Sequence, residues 1–277
     1  MKKTILLITG LIFVLMLSGC ASDKTVQDVG AAYKGKTEKQ IYIEGEQNLL
    51  DGNYSQSTKA FEALDTLFPF GRYAQKGQLD IIYAYYKNGD VPSTLAASDR
   101  YIHLYPMGPH VDYAYYMRGL AEFYENQSVL DQYFNTDYAQ RELGPLRKSF
   151  YDFSELVYRF PKSKYTPDAR KRMVFIRNVM ARNELETGVF YYDRQAYVAA
   201  ANRANNVVRH YQGSTSVPGA LVLMTESYTK VKDFKDAEQA LNVLKLNYPN
   251  NESIPHLQRD IQRAEYKDQH TTNRKKA

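Results

Sequence analysis

Gln75 to Pro106 reads as helix, turn, helix, stop, and that pattern constrains this 277-residue chain more than any other feature. Apolar residues return at helical spacing at Leu79, Ile82, Tyr83 and Tyr86. Lys87-Asn88-Gly89-Asp90 breaks the pattern. A second helical run through Leu95, Ser98, Tyr101 and Ile102 stops at Pro106.

The same plan can be laid over four other stretches. The units expected are 38–69, 75–106, 111–161 with an insertion at 126–145, 165–212 and 218–249. Their columns agree. Modest residues sit mid-way along each first helix: Gly45, Ile82, Gly119, Gly188 and Thr225. Each second helix opens on an apolar residue, with a small one three places on: Ser57, Thr94, Ser149, Ala200 and Ala237. Large residues follow in Leu64, Tyr101, Leu156, Val207 and Leu244. The units close on Pro69, Pro106, Pro161, Gln212 and Pro249, because proline cannot continue a helix. A helix-turn-helix unit of about 34 residues is the tetratricopeptide repeat (TPR). The expected fold is therefore all-α, an α-solenoid of about five TPR helix pairs plus a C-terminal helix at 250–268 and a disordered basic tail at 269–277. Such stacks offer a long concave surface. The pattern leaves open whether 168–192 is one helix or two.

The N-terminus follows other rules. Lys2 and Lys3 precede an apolar run from Ile5 to Leu17, and Leu17-Ser18-Gly19-Cys20 ends on the only cysteine of the chain. The run is short for a membrane span, which needs about 20 apolar residues. The arrangement resembles a bacterial lipobox. That resemblance implies a signal peptide over 1–19, lipidation of Cys20 and a flexible lipid-anchored tether over 20–37. Several acyl chains anchor firmly where one is marginal, each buried CH₂ contributing roughly 0.8 kcal/mol. Loss of Lys2 and Lys3 lowers the net charge of +5 by two, to +3. Ala21 rather than an aspartate follows the cysteine, which by resemblance to Gram-negative lipoprotein sorting implies the periplasmic face of the outer membrane.

The chemistry points to binding. Five histidines are scattered without metal-ligand spacing, and there is no HExxH, CxxC, GxSxG or phosphate-cradling glycine loop. No catalytic group, metal or cofactor is expected. A net charge this small is a weak signal for nucleic acid. The tyrosines cluster instead, at 83, 85 and 86, at 113, 115 and 116, and at 191 and 192. By repeat phase, Tyr42, Leu79, Tyr83 and Tyr86 are expected on the concave side of the first two units. Tyr suits peptide binding through its apolar ring and polar tip. Lys76, Lys87 and Arg100 are candidates to pair with a carboxylate there, and Asp80 is a candidate hydrogen-bonding group. The basic run from Arg170 through Arg172 to Arg182 meets an acidic partner, lies along a lipid surface or is a solvated helix face.

Ala63-Leu64-Asp65, Pro69-Phe70-Gly71 and Gln78 to Asn88 resemble the BamD (ComL) family, as do Asp99 to Ile102, Asp112-Tyr113 and Tyr116 to Leu120. The similarity runs over roughly residues 38 to 230. It implies a TPR lipoprotein of the β-barrel assembly machinery, in complex with the barrel protein BamA and accessory lipoproteins. It further implies that the N-terminal repeats receive C-terminal signals of unfolded outer-membrane proteins, while the C-terminal repeats dock on the POTRA domains of BamA. Asn202 and Arg203, with Arg170 and Arg172, fall in the BamA-facing half. The Pro106-Met107-Gly108-Pro109-His110 stretch and the insertion depart from the family pattern. Two rivals remain at this point: a TPR adaptor for peptidoglycan enzymes or pilus secretins, and an envelope enzyme with its site on the insertion.

Overall fold

The computed structural model describes residues 30–125 and 142–276, with side chains through Thr271. Cys20, the leader and residues 126–141 of the insertion lie outside the described residues. No helix among the described residues is long and apolar enough to cross a membrane. The chain divides after Asp90 into two compact units.

In the first unit the helices are α1 (Glu38–Leu50), α2 (Tyr54–Leu67) and α3 (Ala74–Lys87). Thr37 and Gln40 form a reciprocal capping box that starts α1. α2 packs on both α1 and α3. A Cβ on Gly45 would lie 2.6 Å from the Phe61 ring, so only glycine lets α1 approach α2 this closely. The Ser57 hydroxyl donates to the Gly45 carbonyl at 2.9 Å and seals the same crossing. Ile41, Phe61, Leu64 and Ile82 are buried around it. The tether expected over 20–37 is ordered from Gly30 onward. A 3-10 turn at Ala31–Tyr33 tucks Tyr33 in at 7% exposure, under the Lys36 ammonium.

The second unit continues with α4 (Val91–Leu104), α5 (Val111–Tyr124), α6 (Gly144–Arg159), α7 (Thr166–Asp193), α8 (Tyr197–His210), α9 (Val217–Lys230), α10 (Phe234–Asn247) and α11 (Ile254–Lys276). Each packs on its neighbour in chain order, as TPR helices do. The α5–α6 crossing repeats that of α1 and α2: Gly119 meets Phe153, and Ser149 donates to the Gly119 carbonyl at 2.8 Å. Toward the C-terminus the core is Ala204, Val207, Leu221, Ala237, Leu241, Leu244, Leu257 and Ile261.

Several boundaries differ from the sequence pattern. The pair expected at 75–106 is divided, α3 closing the first unit and α4 opening the second. α7 is one helix of 28 residues, about 42 Å long at 1.5 Å per residue. α11 runs to Lys276, through the stretch expected as a disordered tail. The Gln212 exception to the proline column is also explained. α8 still ends at His210, with Gly213 at φ 72° turning the chain where the other units use proline.

Candidate functional site

The first unit brings a polar cluster together where α1 meets α3. Tyr42 projects from α1 and is only 2% exposed. Its ring stacks on Tyr73, centroids 4.8 Å apart and planes at 22°, and tilts against Phe61. Its hydroxyl lies 2.5 Å from Glu46 Oε1, one turn along α1, and 2.8 Å from Asp80 Oδ2 on α3. Lys76, one turn before Asp80, places Nζ 2.9 Å from the same Glu46 oxygen and 4.6 Å from the Tyr42 ring centroid.

One hydroxyl hydrogen cannot serve two carboxylates at once, and the two carboxyls shift in opposite directions. Burial pushes the Asp80 carboxyl above its ordinary range, against the opposing pull of Tyr42 and Lys76. Burial also pushes Glu46 upward, but the hydrogen bonds from Tyr42 and Lys76 outweigh it and hold that carboxyl low. Lys76 is raised, chiefly by its hydrogen bond to Glu46. Burial, with both carboxylates beside it, pushes the Tyr42 hydroxyl far above the usual phenol range. At neutral pH, Tyr42 and Glu46 are therefore neutral and anionic respectively.

The remaining α3 residues fall on one stripe. At 100° per residue, Lys76, Leu79, Asp80, Tyr83, Tyr86 and Lys87 share about a third of the helix circumference. Tyr83 is 37% exposed, Leu79 and Tyr86 are half-buried, and Lys87 is exposed with Nζ 5.5 Å from the Tyr54 ring centroid. Tyr85 points elsewhere and donates to Glu62 at 2.6 Å. The split among the clustered tyrosines is thus Tyr83 and Tyr86 on the stripe, Tyr85 in the packing.

One of the expected groove residues requires correction. Tyr42 is no exposed groove wall, because its ring is covered by Tyr73 and Phe61. Arg100 is exposed on α4 in the second unit. Sequence reasoning named neither Glu46 nor Tyr73 as a site residue. Glu46 carried a readable signal, standing four residues after Tyr42 on the same helical face. Tyr73 carried none, since it lies in the turn before α3.

The second unit holds the residues expected at the other partner face. Arg170 and Asn202 are exposed. Arg203 on α8 reaches Glu184 of α7 at 3.2 Å. Arg170 and Glu184 are 14 residues apart on α7, so about 21 Å of helix separates Arg170 from the Arg203 pair. Arg172 is engaged within the chain. Its Nε donates to Asp168 at 2.6 Å, its Nη1 donates to the Tyr124 hydroxyl at 3.0 Å, and its guanidinium lies over the Phe123 and Tyr124 rings. Among the described residues no group of three or more His, Cys, Asp or Glu side chains is placed to hold a metal ion.

The profile of the YfiO family, described as an outer membrane lipoprotein, matches residues 34–232, from just before α1 to the end of α9. The chain belongs to the YfiO family. Its relatives include the outer membrane protein assembly factor BamD of Neisseria meningitidis serogroup B, 37% identical over 249 residues, which are 90% of this chain and 92% of the relative. BamD of Vibrio cholerae is 33% identical over 241 residues, 87% of this chain and 97% of the relative. BamD of Haemophilus influenzae is 34% identical over 216 residues, 78% of this chain and 80% of that protein. The YfiO and BamD similarity associates the chain with the outer membrane and agrees with the resemblance carried by residues 63–88.

Proposed function

We propose that this chain, an outer membrane protein assembly factor like its BamD relatives, is a non-enzymatic scaffold that receives an extended C-terminal segment of an unfolded β-barrel protein on the α3 stripe. The observation that carries the reading is the stripe itself. Leu79, Tyr83 and Tyr86 offer an aromatic-apolar strip, and charged groups border it at Lys76, Asp80 and Lys87. A barrel strand alternates apolar and polar side chains, so a strip one residue-pair wide can take one face of it. Lys87 is the better cation for a terminal carboxylate, since Lys76 already pairs with Glu46.

In this reading Cys20 carries the lipid that holds the scaffold on the periplasmic face of the outer membrane. The second unit docks on the POTRA domains of BamA through Arg170, Asn202 and Arg203, and accessory lipoproteins join the same assembly. Arg172 contributes by clamping α5 to α7 rather than by touching the partner. No nucleic acid is involved.

The test is a titration of a barrel C-terminal peptide against the folded protein. Tyr83→Ala combined with Tyr86→Ala is expected to weaken binding by at least about 1 kcal/mol, as loss of aromatic anchors does. Tyr85→Phe is expected to leave it unchanged. Equal affinity for wild type and the folded double variant would remove the stripe from the mechanism. Cys20→Ser is expected to release the protein from membranes, and capture of a POTRA-bearing barrel protein from detergent extracts tests the docking half.

A further inference from the structure

The loop between α2 and α3, Pro69-Phe70-Gly71-Arg72-Tyr73, carries the most exposed large apolar side chain among the described residues of the first unit. Phe70 is 99% exposed. A side chain so open is usually part of a slack loop, and this loop is held at three points. The Gly71 N–H donates to Phe68 O at 3.0 Å, the Ala74 N–H to Gly71 O at 3.2 Å, and the Tyr73 N–H to Glu38 Oε1 at 2.5 Å. A Cβ on Gly71 would lie 2.1 Å from that same Glu38 oxygen, so glycine is what admits the carboxylate into the loop. The fold commits a part-buried contact and a glycine to fixing a turn whose apex is a phenylalanine in solvent.

The setting favours a lipid surface as the occupant. The ring stands out as a knob, with exposed Leu67 and Pro69 beside it in the chain. A fluid headgroup layer accepts such a knob, and Phe and Leu side chains bury into the headgroup boundary. Exposed Arg72 lies in the loop and exposed Lys39 follows Glu38 on α1, the charge that draws a tip to anionic headgroups. The loop also lies at the start of the domain. Glu38 is the first residue of α1, and only nine residues lie between Cys20 and Gly30, where described structure begins. Those ten residue steps span at most about 36 Å. We propose that the Phe70 loop is a membrane-contacting tip that rests in the headgroup region of the same leaflet that holds the anchor. This rests on the reading of Cys20 as the lipid anchor.

The chain has no tryptophan and one cysteine, so both a probe and a tether can be introduced cleanly. The mature chain from Cys20, carrying Phe70→Trp, is coupled through the Cys20 thiol to a maleimide lipid in phosphatidylethanolamine/phosphatidylglycerol vesicles. The tethering does not depend on lipidation in the cell, which the mass of membrane-extracted protein reports separately. The expected result is a blue-shifted emission that brominated lipid quenches, while Leu50→Trp at the far end of α1 from Glu38, also exposed in solution, stays unshifted and unquenched. Emission from position 70 matching that of untethered protein would overturn the proposal. So would equal quenching at 50, or a blue shift that appears only when an unfolded barrel protein is added, which would make the loop a partner site.

Discussion

Tyr42 in the first unit and Tyr116 in the second stand three residues before equivalent glycines, Gly45 and Gly119, and their surroundings match until the charges are reached. Tyr42 stacks on Tyr73 at 4.8 Å and 22°; Tyr116 stacks on Tyr165 at 4.7 Å and 18°. Each hydroxyl lies 2.8 Å from an aspartate Oδ2, of Asp80 in one case and Asp168 in the other. The charges then trade places. Counting from the stacked tyrosine of the turn, the first unit has Lys76 at the third position and Asp80 at the seventh. The second has Asp168 at the third and Arg172 at the seventh. Glu46 adds a carboxylate in the first unit where the second has Leu120.

The difference teaches which parts are structural. Both units keep the glycine crossing, the tyrosine stack and the hydroxyl-carboxylate contact. The sign pattern varies, and it sets whether the edge closes. In the second unit the Arg172 side chain is 20% exposed and clamps Asp168 and Tyr124. In the first, Lys76 is 59% exposed and two carboxylates compete for one hydroxyl, leaving a charged edge beside the α3 stripe.

The comparison can be broken first at its core. Phe61→Ala and Phe153→Ala should each cost roughly 3–5 kcal/mol, since each empties the space facing a glycine. Urea unfolding that shows one loss far below the other would mean that the two crossings are not equivalent.

The charge exchange predicts a smaller, unequal pair of effects. Arg172→Ala should cost about 1.5–3 kcal/mol, the range for hydrogen bonds to charged groups. Lys76→Ala should stay under about 1 kcal/mol, because its ion pair is solvent-exposed. Similar losses in thermal or urea unfolding would show that the second edge is as open as the first.

The smallest effects sharpen the contrast through pH. The Asp80 carboxyl is raised by burial, so its protonated form is favoured in the fold. Its contribution is fully present below the ordinary aspartate range and is lost as pH rises through the folded value. Asp80→Asn should therefore stabilise the protein at neutral pH, and the gain should vanish in acid. At Asp168 burial also pushes upward, but hydrogen bonds from Arg172 and Tyr116 prevail and hold the carboxyl low. Its contribution is present at neutral pH and lost as pH falls through the folded value. Asp168→Asn should therefore destabilise at neutral pH, with the difference shrinking in acid. Melting curves across this range that moved both variants in the same direction would contradict the assignment.

Much of the fold was legible because helix pairs are written in local periodicity. The column of Gly45, Gly119 and Gly188 marked the close crossings, and Ser57 on α2 and Ser149 on α6 marked the groups that seal two of them. Tyr83 and Tyr86 could be assigned to one face from spacing alone. Tyr42 could not be told from them, because the same spacing places it on an equivalent face, and only Tyr73 in the turn before α3 covers its ring. Arg172 read as one member of a basic run, and nothing local distinguished it from Arg170.

The sequence by itself determined most of the helices, the close crossings and the class of surface to look for. Hydrophobic period and side-chain size act within a few residues, so those features need no knowledge of distant contacts. Only the tertiary structure decided which charges are spoken for and which remain on offer. Tyr42 meets Asp80 across 38 residues and Tyr116 meets Asp168 across 52. A carboxylate's state depends on such contacts and on burial, which chain order does not encode. The division after Asp90 is of the same kind: α3 and α4 read as one pair, yet α3 belongs to the first unit and α4 to the second.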